Sequence, residues 1–128
     1  MSIKDSLRIL VVDDMAASRG VLINGLEQCG IKNIFSETTC DGALSFMLKT
    51  PVHLVVSDYN MPGKSGLDLL KAIRSSGQLQ RTGFILVSGT TDSTVVTEGQ
   101  RLGMNNFLPK PVTPESLRRT VEAVVGRL

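Results

Sequence analysis

An α/β fold with an open, doubly wound, five-stranded parallel sheet is what this 128-residue sequence predicts. Two observations carry that expectation. Apolar, β-branched runs alternate with helical stretches five times along the chain. The runs are also continuous rather than alternating, which marks strands buried on both faces and so a parallel sheet covered by helices on either side.

The elements follow in order. "LRILVVDD" is a short β-branched run with an acidic end, the first strand. "AASRGVLINGLEQCG" is the first helix, with Val21, Leu22, Leu26 and Cys29 on roughly one face and Gly30 as its stop. "NIFSETT" reads as a weak second strand, and "DGALSFMLKT" as a short helix ended by Pro51. "VHLVVSD" is the third strand, followed by the helix "GLDLLKAIRSS" with Leu67, Leu70 and Ile73 in register. After the fourth strand, "GFILVSG", comes a poor helix, "TTDSTVVTEGQRLG", weakened by β-branched residues and by Gly99. "NNFLPK" is the fifth strand. "TPESLRRTVEAVVGRL" closes the chain, with Thr113 as N-cap, Pro114 in the first turn, and a stripe of Leu117, Val121, Val124 and Leu128.

Composition narrows the function classes. The length suits one domain over residues 1–128, with no separate output domain expected. A net charge of +2 without a basic run does not argue for nucleic acid, and the N-terminus reads as neither signal peptide nor membrane span. Cys29 and Cys40 read as reduced packing residues, and the expected compartment is the cytoplasm. His53, the one histidine, precedes the third strand and reads as a surface or edge residue rather than a phosphocarrier.

The stretch "VVSDYNMPGKSG", residues 55–66, offers two incompatible chemistries. Gly63-Lys64-Ser65 looks like the end of a P-loop, but that loop needs a glycine where this chain has Asp58. A carboxylate there repels a polyphosphate. The competing reading starts from the rule that doubly wound sheets bind ligands beyond the carboxyl ends of their strands. Here strand one ends in Asp13 and Asp14, strand three in Asp58, strand four in Ser88 and strand five in Lys110. Three carboxylates in one crevice demand a cation, and oxygen-only ligands favour Mg²⁺ over Zn²⁺. Lys110 balances the remaining charge.

This set, "LVVDD", "VVSDYNMPGKSG", "ILVSG" and "FLPKP" in that order, resembles the receiver domain of two-component response regulators, above all the stand-alone chemotaxis regulators of the CheY type. The resemblance covers essentially the whole chain. It implies the strand order 2-1-3-4-5 of the flavodoxin/CheY-like fold, of which CheY is itself a standard example, with five helices. By position it implies a phospho-accepting Asp58 and a Mg²⁺ site of Asp13, Asp14, Asp58 and the Asn60 backbone carbonyl. Ser88 is then the switch hydroxyl, Phe107 the switch aromatic and Lys110 the phosphate-pairing lysine, with Lys110-Pro111 expected to be cis. Lys64, Ser65 and Gly89 depart from the family's commoner choices. Phe107 stands where the best-known chemotaxis regulators carry tyrosine.

The implied partners are a sensor histidine kinase of the chemotaxis (CheA) type and the flagellar motor switch, met as a monomer through the fourth helix, fifth strand and fifth helix. A phosphate sink that drains the kinase is the alternative. Lacking a hydroxyl to hold it outward, Phe107 is expected to be partly inward before any phosphorylation. Two rivals from other classes fit worse. A flavodoxin-like FMN carrier needs a phosphate loop where Asp13 and Asp14 stand. A phosphatase with an aspartate nucleophile wants D-x-D, not adjacent acids.

Overall fold

The computed structural model describes residues 3–89 and 93–128. Five parallel strands, β1 (Arg8–Val12), β2 (Asn33–Glu37), β3 (Leu54–Asp58), β4 (Gly83–Ser88) and β5 (Asn106–Pro109), lie in the order β2-β1-β3-β4-β5. The helices are α1 (Ile3–Ser6), α2 (Ala16–Gln28), α3 (Cys40–Lys49), α4 (Gly66–Ser75), α5 (Ser93–Arg101) and α6 (Pro114–Val125). Six helices therefore stand among the described residues where five were expected. The addition, α1, is a four-residue turn, too short to show a helical period in sequence. The start of the segment read as the poor helix, residues 90–92, lies outside the described residues.

Strand parity decides where the core sits. Successive side chains point to opposite faces of a sheet. Ile9, Val11, Leu54, Val56, Ile85 and Val87 accordingly join one cluster with Leu22 and Leu26 of α2 and Leu117 and Val121 of α6. Leu10, Val12, Val55, Phe84 and Leu86 join a second cluster with Ala43 and Met47 of α3, Leu69, Leu70 and Ile73 of α4, and Val95 of α5. Both faces are buried, which explains why the strands read as unbroken apolar runs. β2 at the edge is only partly buried, matching its weak signal.

One helix face was misread. Val21 is half exposed, whereas Gly25 is buried beneath α6. A Cβ on Gly25 would sit 2.8 Å from Leu117 Cδ2, so the glycine sets how closely α2 and α6 approach. The other stops and caps follow expectation. Gly30 takes a positive φ after α2, and Thr113 caps α6 by accepting from Ser116 N. Cys29 and Cys40 are free thiols, both buried. Among the described residues no helix is long and apolar enough to cross a membrane.

Two long-range clasps were not legible in sequence. The Arg74 guanidinium donates to the carbonyls of Gln80, Thr82 and Gly103 and to Asn105 Oδ1, tying the end of α4 to the α5–β5 loop. At the same N-terminal end of the strands, exposed His53 accepts at Nδ1 from the Arg8 backbone N–H at 3.0 Å. Partial burial, and then the charge of Arg8, lower the His53 pKa. Protonation turns the acceptor into a donor, so this contribution to stability is present above the unfolded value of 6.5 and is lost as pH falls through the lowered folded value. Denaturant titrations from neutral to mildly acidic pH are expected to show a component of no more than about 1 kcal/mol that His53→Gln removes, the site being exposed. An unchanged pH dependence in that variant would dismiss the clasp.

Candidate functional site

The C-terminal rim of the sheet gathers the polar residues that end the strands. Asp13 follows β1 directly and is fully buried; Asp58 closes β3 and is 3% exposed; Asp14 is half-buried. One carboxylate oxygen from each lies within 4.8 Å of the others. Asp13 is oriented by its own loop, Oδ1 accepting from Met15 N at 3.0 Å while its carbonyl accepts from Arg19 Nη1 at 2.9 Å. Its other oxygen, Oδ2, is buried with no hydrogen-bond donor, as is Asp58 Oδ1. Buried carboxylate oxygens without partners are costly. Two of them within one three-acid cluster fit a hard, oxygen-seeking divalent cation.

Lys110 supplies the one nearby cation among the described ion pairs. Its Nζ lies 3.0 Å from Asp58 Oδ1, an ion pair that offsets charge at an oxygen otherwise without a donor. Lys110 is placed by its backbone N–H, which donates to the Ser88 carbonyl at 2.9 Å, and the Lys110-Pro111 peptide is cis, as expected. Burial pushes the Asp58 carboxyl above its ordinary range; Lys110 pulls it back, and the Asp13 charge adds to the rise.

Ser88 ends β4, fully buried. Phe107 on β5 pairs in register with Leu86, and Ser88 lies two residues further along β4, so Ser88 and Phe107 share a face of the sheet. Phe107 is half-buried and packs against the second core cluster. Asn60, two residues past Asp58, is exposed in the β3–α4 loop. The rim thus brings together Asp13, Asp14, Asp58 and Lys110, with Ser88 one strand away and Phe107 behind it.

Gly63-Lys64-Ser65 is engaged within the protein itself. Gly63 turns the loop at φ +77°, Lys64 Nζ pairs with Asp41 Oδ1 at 3.0 Å, and Ser65 caps α4 in a reciprocal box with Asp68. The sequence reading missed the importance of Gly66. A Cβ there would lie 2.4 Å from the Asp58 carbonyl oxygen, so only glycine lets α4 start this close to the end of β3. Its signal was present, a glycine directly after a capping serine, but the close approach depends on where α4 packs.

Comparison with known proteins gives a consistent picture. The family model for the response regulator receiver domain matches residues 9–122. The chain is 38% identical over 128 residues to a probable chemotaxis protein CheY of Rhizobium etli, covering all of this chain and 99% of that one. It is 31% identical over 125 residues to chemotaxis protein CheY-3 of Vibrio cholerae, covering 96% of this chain and 95% of the relative. Among solved structures, the chemotaxis response regulator CheY4 of Vibrio cholerae superposes with a TM-score of 0.84 at 28% identity, over 92% of this chain and 98% of that one.

Proposed function

This chain belongs to the response regulator receiver domain family, and from that membership we propose that it is a chemotaxis-type regulator phosphorylated on Asp58 by a histidine kinase. The observation that carries the reading is Asp58 itself, a buried carboxylate that stands beside two further acids with one oxygen 3.0 Å from a lysine.

An Asp58 oxygen attacks phosphorus while the P–N bond to the donor imidazole breaks, its electron pair leaving with the imidazole. Attack by a carboxylate on an anionic group is opposed by charge, and this site has two means of offsetting it. Asp13, Asp14, Asp58 and the Asn60 carbonyl would hold Mg²⁺, which when bound neutralises charge on the transferring group. Lys110 binds a phosphoryl oxygen, and the Ser88 hydroxyl donates to another. Water attacking the same phosphorus returns Asp58 to its free form. The molecule transforms only itself, in the cytoplasm with its kinase.

Output runs through the surface of α5, β5 and α6, offered to the motor switch. The phosphate-sink reading draws support from one observation: Phe107 is half-buried and packs against the second core cluster. Burying an aromatic ring gains about 1.5–3 kcal/mol relative to exposure, and a ring already partly buried has less of that left for phosphorylation to add. Transfer from the cognate kinase and back to it tests the main reading; no transfer in either direction with Mg²⁺ present rejects it. Titration of the kinase and the motor protein with and without beryllofluoride then separates the outputs. A change of only a few-fold is expected, and a very large increase in motor affinity would exclude the sink.

A further inference from the structure

The motif that the site does not use directly, Gly63-Lys64-Ser65, carries the inference. The β3–α4 loop must present Asn60 to the cation, and it is held firmly at both ends. Tyr59 N donates to the Val87 carbonyl at 2.8 Å, and Gly66 N donates to the Tyr59 carbonyl at 2.9 Å. Between them, among the described residues, the one polar tie from residues 60–64 to another element is Lys64 Nζ to Asp41 Oδ1 at 3.0 Å. Asp41 stands in the first turn of α3, a helix fixed against the second core by Ala43 and Met47. Asp41 also favours the charged form of Lys64, raising its pKa.

We infer that the Lys64–Asp41 pair is a strut that positions the loop bearing Asn60, and that Lys64 is thereby a positioning residue for the divalent cation. This rests on the cation site proposed above. The strut is exposed on both sides, so its effect is modest and salt-sensitive.

A strut and a mere point charge predict opposite signs for Lys64→Met. If Lys64 acted only through its positive charge, Lys64→Met would tighten Mg²⁺ and Asp41→Asn, freeing the ammonium, would weaken it. A strut requires both variants to weaken Mg²⁺, by about two- to fivefold, and requires Lys64→Arg and the charge-swapped pair Lys64→Asp with Asp41→Lys to recover most of the loss. Tyr59, the single tyrosine in a chain without tryptophan, adjoins Asp58 and supplies a fluorescence readout of Mg²⁺ affinity without any phosphodonor. Thermal unfolding of each variant without Mg²⁺ is measured alongside and is expected to match wild type. Tightening in Lys64→Met, or no recovery in the swapped pair, overturns the strut while leaving the cation site intact. Failure of the wild-type protein to bind Mg²⁺ overturns both.

Discussion

Asp58→Asn is expected to incorporate no phosphate from acetyl phosphate or from a kinase, while the wild-type protein gains one phosphoryl group that Mg²⁺ is needed to install and hydroxylamine removes. An amide has nearly the shape of a carboxylate but neither its charge nor its nucleophilic oxygen, so the loss reports chemistry rather than folding. The same variant is expected to be more stable than wild type near neutral pH without Mg²⁺, by about 0.5–2 kcal/mol, as is common when a functional site is neutralised. The sign follows from the raised Asp58 pKa, caused first by burial and offset in part by Lys110. An acid whose folded pKa is raised costs stability once ionised, so its penalty is absent at low pH and grows as pH rises through the unfolded and then the folded value. Intact-mass measurement and urea titration check the two halves separately. Phosphate incorporation at the wild-type rate by Asp58→Asn would remove Asp58 from its role.

Lys110→Ala is expected to slow phosphorylation by about a hundredfold or more, the usual cost of losing one preorganised contact to a developing anion. Lys110 Nζ lies 3.0 Å from Asp58 Oδ1, so a phosphoryl group joined to that carboxylate falls within its reach. Mg²⁺ binding is expected to survive or tighten in the variant, because a positive charge beside the acids has gone. That contrast between rate and cation affinity distinguishes a phosphate-pairing lysine from one that merely holds the acids together. Lys110→Arg is not expected to restore the rate, since a planar fork on a different stem does not place its donors where an ammonium sits. A wild-type rate in Lys110→Ala, measured by stopped-flow on Tyr59 or by mass, would contradict the assignment.

The rim was legible because two patterns coincide in sequence. Apolar runs show where strands lie, and the polar residue that ends each run must emerge at the same edge of a parallel sheet. Asp13, Asp58 and Ser88 could therefore be grouped without knowing any distance. Contacts between elements distant in sequence left no such trace. Nothing around Arg74 announces that its guanidinium reaches the α5–β5 loop, and nothing marks Gly25 as the point where Leu117 comes within touching distance. Val21 shows the same limit from the other side. A thirteen-residue helix with small and polar residues interspersed has only a shallow apolar stripe, and the sequence cannot say which flank the neighbouring helix covers.

The division of the strands by parity has a mechanical consequence. Ser88 and Phe107 share the face of the sheet that α5 covers, whereas α6 is seated on the other face through Leu117 and Val121. A disturbance that begins at Asp58 and passes through those two side chains therefore presses on one wall of the α5–β5–α6 surface and not on the other. If the proposed output holds, a partner would meet something like a vice, with α6 as the fixed jaw and α5 as the sliding one, hinged at its C-terminal end where Arg74 grips the Gly103 carbonyl. Amide exchange on beryllofluoride binding should then change along α5 and stay level along α6; equal changes in both helices would mean that neither jaw is fixed.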